Sequence, residues 1–183
     1  MKMKMALAAL AGAALLASPA FAADVLPAGT LITASGTPLL GLAHGFADEP
    51  GTNVTPLVAD DLEYISADYA IAVDFFTDGR VQVWNNTGAT SVPGSYSLTF
   101  TFDGAALSGF SLLDTSAVTA GLPSATLVDA HTIRLNFSNL ATGAEFDSFT
   151  AQITAAPVPE PASYALLGAG LALLAFARRR TQA

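Results

Sequence analysis

Two uncharged apolar runs, one near each end of the chain, enclose a middle in which apolar and polar residues take turns. Between Ala23 and Ala156 the apolar positions recur every second residue, the period of a half-buried strand, and not every third or fourth as on a helix. Tyr69, Ile71, Val73 and Phe75 fall on one face of a predicted strand, and Val81 and Val83 on one face of the next. Thr77-Asp78-Gly79 between them predicts a hairpin turn, with Gly79 able to take the positive φ that other residues avoid. Ser95 to Phe102 repeats the pattern, with Tyr96, Leu98, Phe100 and Phe102 on one side and Ser97, Thr99 and Thr101 on the other. Asp103-Gly104 turns the chain into a short strand over Phe110 to Leu113. Ala125 to Val128 and Thr132 to Phe137 flank Asp129-Ala130-His131 as a second hairpin, with Ile133, Leu135 and Phe137 inward; Phe149 to Thr154 is the last strand.

No window of the middle gives an amphipathic helix, and the connecting residues are the Gly, Ser, Thr, Asn, Asp and Pro that short turns require. Gly36 to Ser66 mixes turn residues with short apolar clusters and predicts loops with one or two edge strands. The expected fold of residues 23–156 is therefore all-β, an antiparallel β-sandwich of immunoglobulin-like or jelly-roll type, in one domain.

The two ends break this period and predict targeting segments. Residues 1–22 run from the basic start MKMKM through the apolar ALAALAGAALLA to SPAFA. That order is a signal peptide: lysines hold the cytoplasmic side, the apolar run enters the translocon, and Ala20 and Ala22 offer signal peptidase the small residues it needs before Ala23. Residues 162–177 form a second uncharged stretch, followed at once by Arg178, Arg179 and Arg180. As a helix it covers about 24 Å, short of a hydrocarbon core of about 30 Å. Snorkelling arginines and an interfacial Tyr164 close the gap, so a transmembrane helix is expected, with 178–183 as a basic cytoplasmic tail that stops transfer. The precursor is then anchored in the inner membrane with its body periplasmic.

Before that helix, residues 157–161 read Pro157-Val158-Pro159-Glu160-Pro161. Prolines at alternate positions remove amide donors and fix φ, which predicts an extended, exposed linker carrying one charged side chain. Val158, Pro159, Glu160 and Pro161, then a short apolar helix, then an arginine cluster, resemble the PEP-CTERM sorting signal of Gram-negative bacteria, a tail pattern also filed under an ice-binding label. The resemblance covers residues 157–180. It implies that an exosortase, an integral-membrane cysteine peptidase, cleaves near the Pro-Glu-Pro and passes the protein to the cell surface or extracellular matrix. It also implies association with exopolysaccharide and biofilm.

Composition narrows the chemistry of the body. Fifteen acidic residues lie between the ends against only Arg80 and Arg134, a net −13 there and −8 for the whole chain. That excludes nucleic acid as a partner, since phosphate binding needs a basic face. With no cysteine there is no disulfide framework, thiolate nucleophile or cysteine-bound zinc. His44 and His131 are the only histidines, and no nucleophile elbow, zinc-peptidase motif or phosphate loop accompanies them, so no catalytic residue is nominated and a non-enzymatic body is expected. A hydrolase would need one of these imidazoles beside a serine and a carboxylate. No cofactor is called for. Asp60, Asp61 and Glu63 are the densest acidic group and the weak candidates for calcium, although their spacing matches no calcium loop; a solvated acidic edge is the expectation. Trp84, beside Asn85 and Asn86, is the one tryptophan that a sugar could stack on, which keeps a polysaccharide- or calcium-binding module as the alternative function.

Overall fold

The computed structural model describes residues 25–43, 53–58, 61–156 and 168–171. The described residues form twelve strands: β1 (Leu31–Thr37), β2 (Leu40–Leu42), β3 (Val54–Pro56), β4 (Tyr64–Ser66), β5 (Ile71–Phe75), β6 (Arg80–Asn85), β7 (Ser91–Asp103), β8 (Leu107–Asp114), β9 (Val118–Ala120), β10 (Ser124–Asp129), β11 (Thr132–Thr142) and β12 (Ser148–Ala155). They assemble into two six-stranded antiparallel sheets. The first has the order β10-β11-β7-β1-β3 with β9 paired to β11; the second has the order β2-β4-β5-β6-β12-β8.

The alternation in the sequence becomes the burial of each strand. Tyr96, Leu98, Phe100 and Phe102 of β7, and Ile133, Leu135 and Phe137 of β11, point inward from the first sheet. Ile71, Val73 and Phe75 of β5, Val81 and Val83 of β6, and Phe149, Ala151 and Ile153 of β12 point inward from the second. The two sets meet in one core. Phe75 packs edge-on against Phe100 and Phe102 across the sheets, with ring centroids 5.0 and 5.5 Å apart, and Phe137 meets Phe149 in the same way at 5.9 Å. The buried Tyr64 hydroxyl of β4 donates to the carbonyl of Ile32 in the opposite sheet, so its polar tip is satisfied where its ring is desolvated.

The turns follow the residues that favour them. Gly79 takes φ 84° between β5 and β6, and an added Cβ would lie 2.6 Å from the Ile153 carbonyl, so only glycine fits. The hairpin at Ala130-His131 joins β10 to β11 in register from Ala125↔Leu135 to Leu127↔Ile133. After Asp103, Gly104 at φ 79° carries the chain from β7 in one sheet to β8 in the other.

Two parts of the chain differ from the pattern-based expectation. Tyr69 does not extend the inward face of β5. It lies in the turn before it, at φ 58° and 57% exposed, because Asp68 folds the turn back by accepting from the Ser66 hydroxyl and the Ala70 amide. The stretch from Gly36 to Ser66, expected to hold loops with one or two edge strands, holds the end of β1 and the three short strands β2, β3 and β4. β1 pairs with β7 along its whole length, while β4 sits inside the second sheet between β2 and β5.

Residues Gly168–Leu171 are helical, and no helix among the described residues is long and apolar enough to cross a membrane. The predicted signal peptide with Ala20, Ala22 and Ala23, the linker 157–161, the greater part of 162–177 and the basic tail 178–183 lie outside the described residues.

Candidate functional sites

The outer faces of the sheets carry the polar chemistry. On the first sheet the register sets Thr33, Ser35 and Thr37 of β1 beside Thr101, Thr99 and Ser97 of β7, and these beside Thr132, Arg134 and Asn136 of β11. Alternation then turns the hydroxyls outward while the leucines and phenylalanines between them fill the core. Toward one end of this face, Thr37, Ser95, Ser97, Asn136, Ser138 and Leu122 line an open cleft of about 650 Å³. Its wall is fixed by Gly121, at φ 68°, whose backbone lies against the Ser138 and Asn139 carbonyls too closely for any side chain. Leu122 is thereby held at the rim, 66% exposed.

The second sheet presents ionisable and aromatic groups instead. Asp74 of β5, Arg80 and Gln82 of β6 and Gln152 of β12 share its outer face, with the Arg80 guanidinium 4.0 Å from the Phe76 ring centre. Trp84 is half-buried on this face, in a row with Ala72 and Ser148.

Of the candidate calcium ligands, Asp60 lies outside the described residues and Asp61 is exposed. Glu63 is 0% exposed, a correction to the solvated edge expected of it. Its two carboxyl oxygens accept from the amides of Val58 at 3.2 Å and Phe75 at 2.9 Å, and its side chain is hydrogen-bonded to Asp74. Burial pushes the Glu63 carboxyl up to about 8, against the two amide bonds, with the Asp74 charge adding to the rise. Burial raises Asp74 as well, while its bond from Glu63 opposes the shift, so the proton between them resides on Glu63. Among the described residues no group of three or more histidines and carboxylates is gathered to hold a metal ion.

His44 lies outside the described residues. His131 sits at its predicted hairpin tip, its amide bonded to the Asp129 carboxylate and its Nδ1 2.7 Å from the Ala105 carbonyl. A carbonyl only accepts, so Nδ1 carries the proton and donates. The ring braces the β10–β11 hairpin against the crossing from β7 to β8.

Sequence reasoning missed two polar links. One is the Glu63–Asp74 pair, for which no local signal exists because the partners come together only through strand pairing. The other is Asp68, which accepts from the Tyr96 hydroxyl at 2.7 Å and so ties a turn of the second sheet to β7 of the first. Despite partial burial, the bonds from Ser66, Tyr96 and the Ala70 amide hold its carboxyl below the usual range. Asp68 stands next to Tyr69 in a turn, where a side-chain cap is the one legible hint.

Residues 157–180 match the family model of the PEP-CTERM protein-sorting motif. No curated protein and no solved structure matches the chain.

Proposed function

Proceeding from a chain that carries a PEP-CTERM sorting motif, and is therefore an exported substrate of exosortase processing, we propose that it is a non-enzymatic protein of the cell surface or extracellular matrix, delivered there through an inner-membrane precursor. The observation that carries this reading is the position of the motif. It follows directly after β12, the last strand of the body, so cleavage near Pro159-Glu160-Pro161 releases the two-sheet unit with its core intact. The two facing sheets are what a sandwich of either expected type supplies. In support of a non-catalytic role, the hydrogen bond of the His131 ring goes to the Ala105 carbonyl and not to a serine or carboxylate of a nucleophile–base pair.

In this reading signal peptidase acts between Ala22 and Ala23, residues 162–177 hold the linker at the bilayer, and Arg178, Arg179 and Arg180 keep the end cytoplasmic. Glu160 supplies the single charge of the linker that the processing enzyme can pair with. Replacing Glu160 with Ala removes that charge and leaves the prolines in place. The expected outcome is accumulation of full-mass precursor in the inner membrane and a loss of most surface material, read by intact-mass spectrometry of membrane and extracellular fractions. Surface protein of normal mass and amount from Glu160→Ala, and from a chain lacking residues 162–183, would overturn the reading.

A second reading, a binding module of the matrix, is favoured for polysaccharide by the hydroxyl-lined cleft of the first sheet. Calcium is less well served, since both oxygens of Glu63 already accept backbone bonds.

A further inference from the structure

We propose that the cleft on the outer face of the first sheet docks a neutral polysaccharide chain. The proposal deepens the second reading above, in which the exported body acts by binding. Of the nine residues that line the cleft, Gly121 and the buried Tyr96 and Phe137 form its floor and wall, and the other six present four hydroxyls, one amide and one leucine, with no carboxylate, lysine or arginine among them. That is unusual ground on a chain with fifteen acidic residues and a net charge of −8. The acidic body repels polyanions at long range. The cation nearest the cleft on β11, Arg134, donates its Nε to Thr99 at 3.1 Å. Arg134 keeps its charge and its remaining donors, so the case against an anionic polymer rests on the acidic body, whereas a neutral one meets no desolvated charge in the cleft.

The hydrogen-bonding character of the lining points to a polyol. A hydroxyl is both donor and acceptor, and Ser95 and Ser138 already pair at 3.0 Å with either atom able to donate. A sugar hydroxyl can enter such a pair in either role. The amide of Asn136 adds a fixed donor and acceptor, and exposed Leu122 offers an apolar edge to the carbon face of a sugar ring. Hydroxyls continue past the cleft in the Ser35–Thr99 pair, which Arg134 ends on β11, and in the complete Thr33–Thr101–Thr132 row, spaced about 4.8 Å across strands and about 6.8 Å along them. A repeating surface suits a repeating ligand, hence a chain and not a single sugar. A protein partner would want a larger apolar anchor than one leucine, and an anionic membrane would want cations.

The test uses the full chain purified in detergent, applied to immobilised glycans that include dextran, hydroxyethylcellulose and the polyanion alginate. Retention is expected on a neutral glycan, nearly independent of salt, with none on alginate. Ser97→Glu, which places a carboxylate in the cleft, and Leu122→Asp, which changes only the rim, should each weaken retention by roughly tenfold or more. Thermal unfolding of both variants, expected at the wild-type midpoint, separates lost binding from lost fold. Absence of retention on every neutral glycan, equal retention on alginate, or wild-type retention by both folded variants would overturn the proposal. So would loss of binding on replacing the exposed Tyr69 or Phe146 with Ala while both cleft variants still bind, which would move the site to the loops. Because the assay is made on purified protein, its failure leaves the sorting reading intact, and a failure of sorting leaves the assay readable.

Discussion

The two sheets have the same inside and different outsides. Inward, each supplies phenylalanines and branched aliphatic residues to one core, and the rings interleave so that Phe75 of one sheet rests on Phe100 and Phe102 of the other. Outward, the first sheet is a lawn of threonine and serine with Arg134 among them, while the second carries Asp74, Arg80, the glutamines and Trp84. The inner faces answer to a single demand, removal of apolar surface from water, which any well-shaped hydrophobic residue meets. The outer faces are released from that demand. Their divergence therefore records what each side is required to do beyond folding, and the hydroxyl-rich first sheet bears the cleft.

The sharpest way to test that division is along one strand. Phe100 and Thr99 are neighbours in β7, one fully buried against both sheets and the other turned outward. Phe100→Ala should cost about 3–5 kcal/mol, a transfer loss plus the cavity left among Tyr64, Phe75 and Phe102. Thr99→Ala should stay within about 0.5 kcal/mol. Denaturant unfolding of the two variants reads both values. A comparable loss at Thr99 would mean that the hydroxyl face is a structural element and not a free surface.

Much of this fold was legible because burial on one face writes itself as a period of two. β5, β6, β7, β11 and β12 all have three or more alternating positions, or a turn glycine beside them, and each was readable. β2, β3 and β4 are three residues long, too short to display a period, and β1 carries glycine, serine and alanine where larger residues would have signalled a strand. Tyr69 kept the alternation yet left the strand, since an aspartate cap in the turn outweighed one more apolar position. The sorting tail was legible for the opposite reason: its recognition depends on contiguous residues, Val158 to Pro161 and then the arginines, and needs no tertiary partner. The cleft and the Glu63–Asp74 pair were not legible, because both depend on which strands become neighbours.

The second sheet should also be the seat of pH sensitivity. Glu63 is protonated in the folded protein up to about 8, whereas the unfolded chain ionises near the ordinary value of 4.5. Between those limits the folded state holds a proton that the unfolded state has released. Stability is therefore full below about 4.5, falls as pH rises through the window, and levels off above about 8. The loss is on the order of a few kcal/mol. Glu63→Gln keeps the size of the side chain and removes the titration, so its unfolding midpoint should be flat across the same window and exceed that of the wild type at its alkaline end. Melting curves from pH 4 to pH 9 decide it. Parallel profiles for the two proteins would mean that the pair is not the source of the pH dependence, and the contrast between the two outer faces would lose its electrostatic half.

A modest effect is expected where the two sheets are joined, at His131. Its imidazole is exposed, and its one ring bond, to the Ala105 carbonyl, links the hairpin of the first sheet to the crossing that leads into the second. The backbone repeats that link without it: the Leu107 amide donates to the Ala130 carbonyl at 2.7 Å and the Phe102 amide to the His131 carbonyl at 2.8 Å. Removing the ring therefore deletes one of three bonds at the junction and leaves the Ala105 carbonyl to be satisfied by water. His131→Ala should cost about 0.5–1 kcal/mol, with export, tail processing and glycan retention unchanged, as measured by denaturant unfolding alongside the intact-mass and glycan assays. A histidine that served a reaction would behave in the reverse manner, sparing stability while abolishing an activity. If His131→Ala unfolded at the wild-type midpoint yet lost a hydrolytic activity on matrix glycans, the joint between the sheets would be a catalytic position, and the hydroxyl-rich face would be a substrate channel in place of a docking surface.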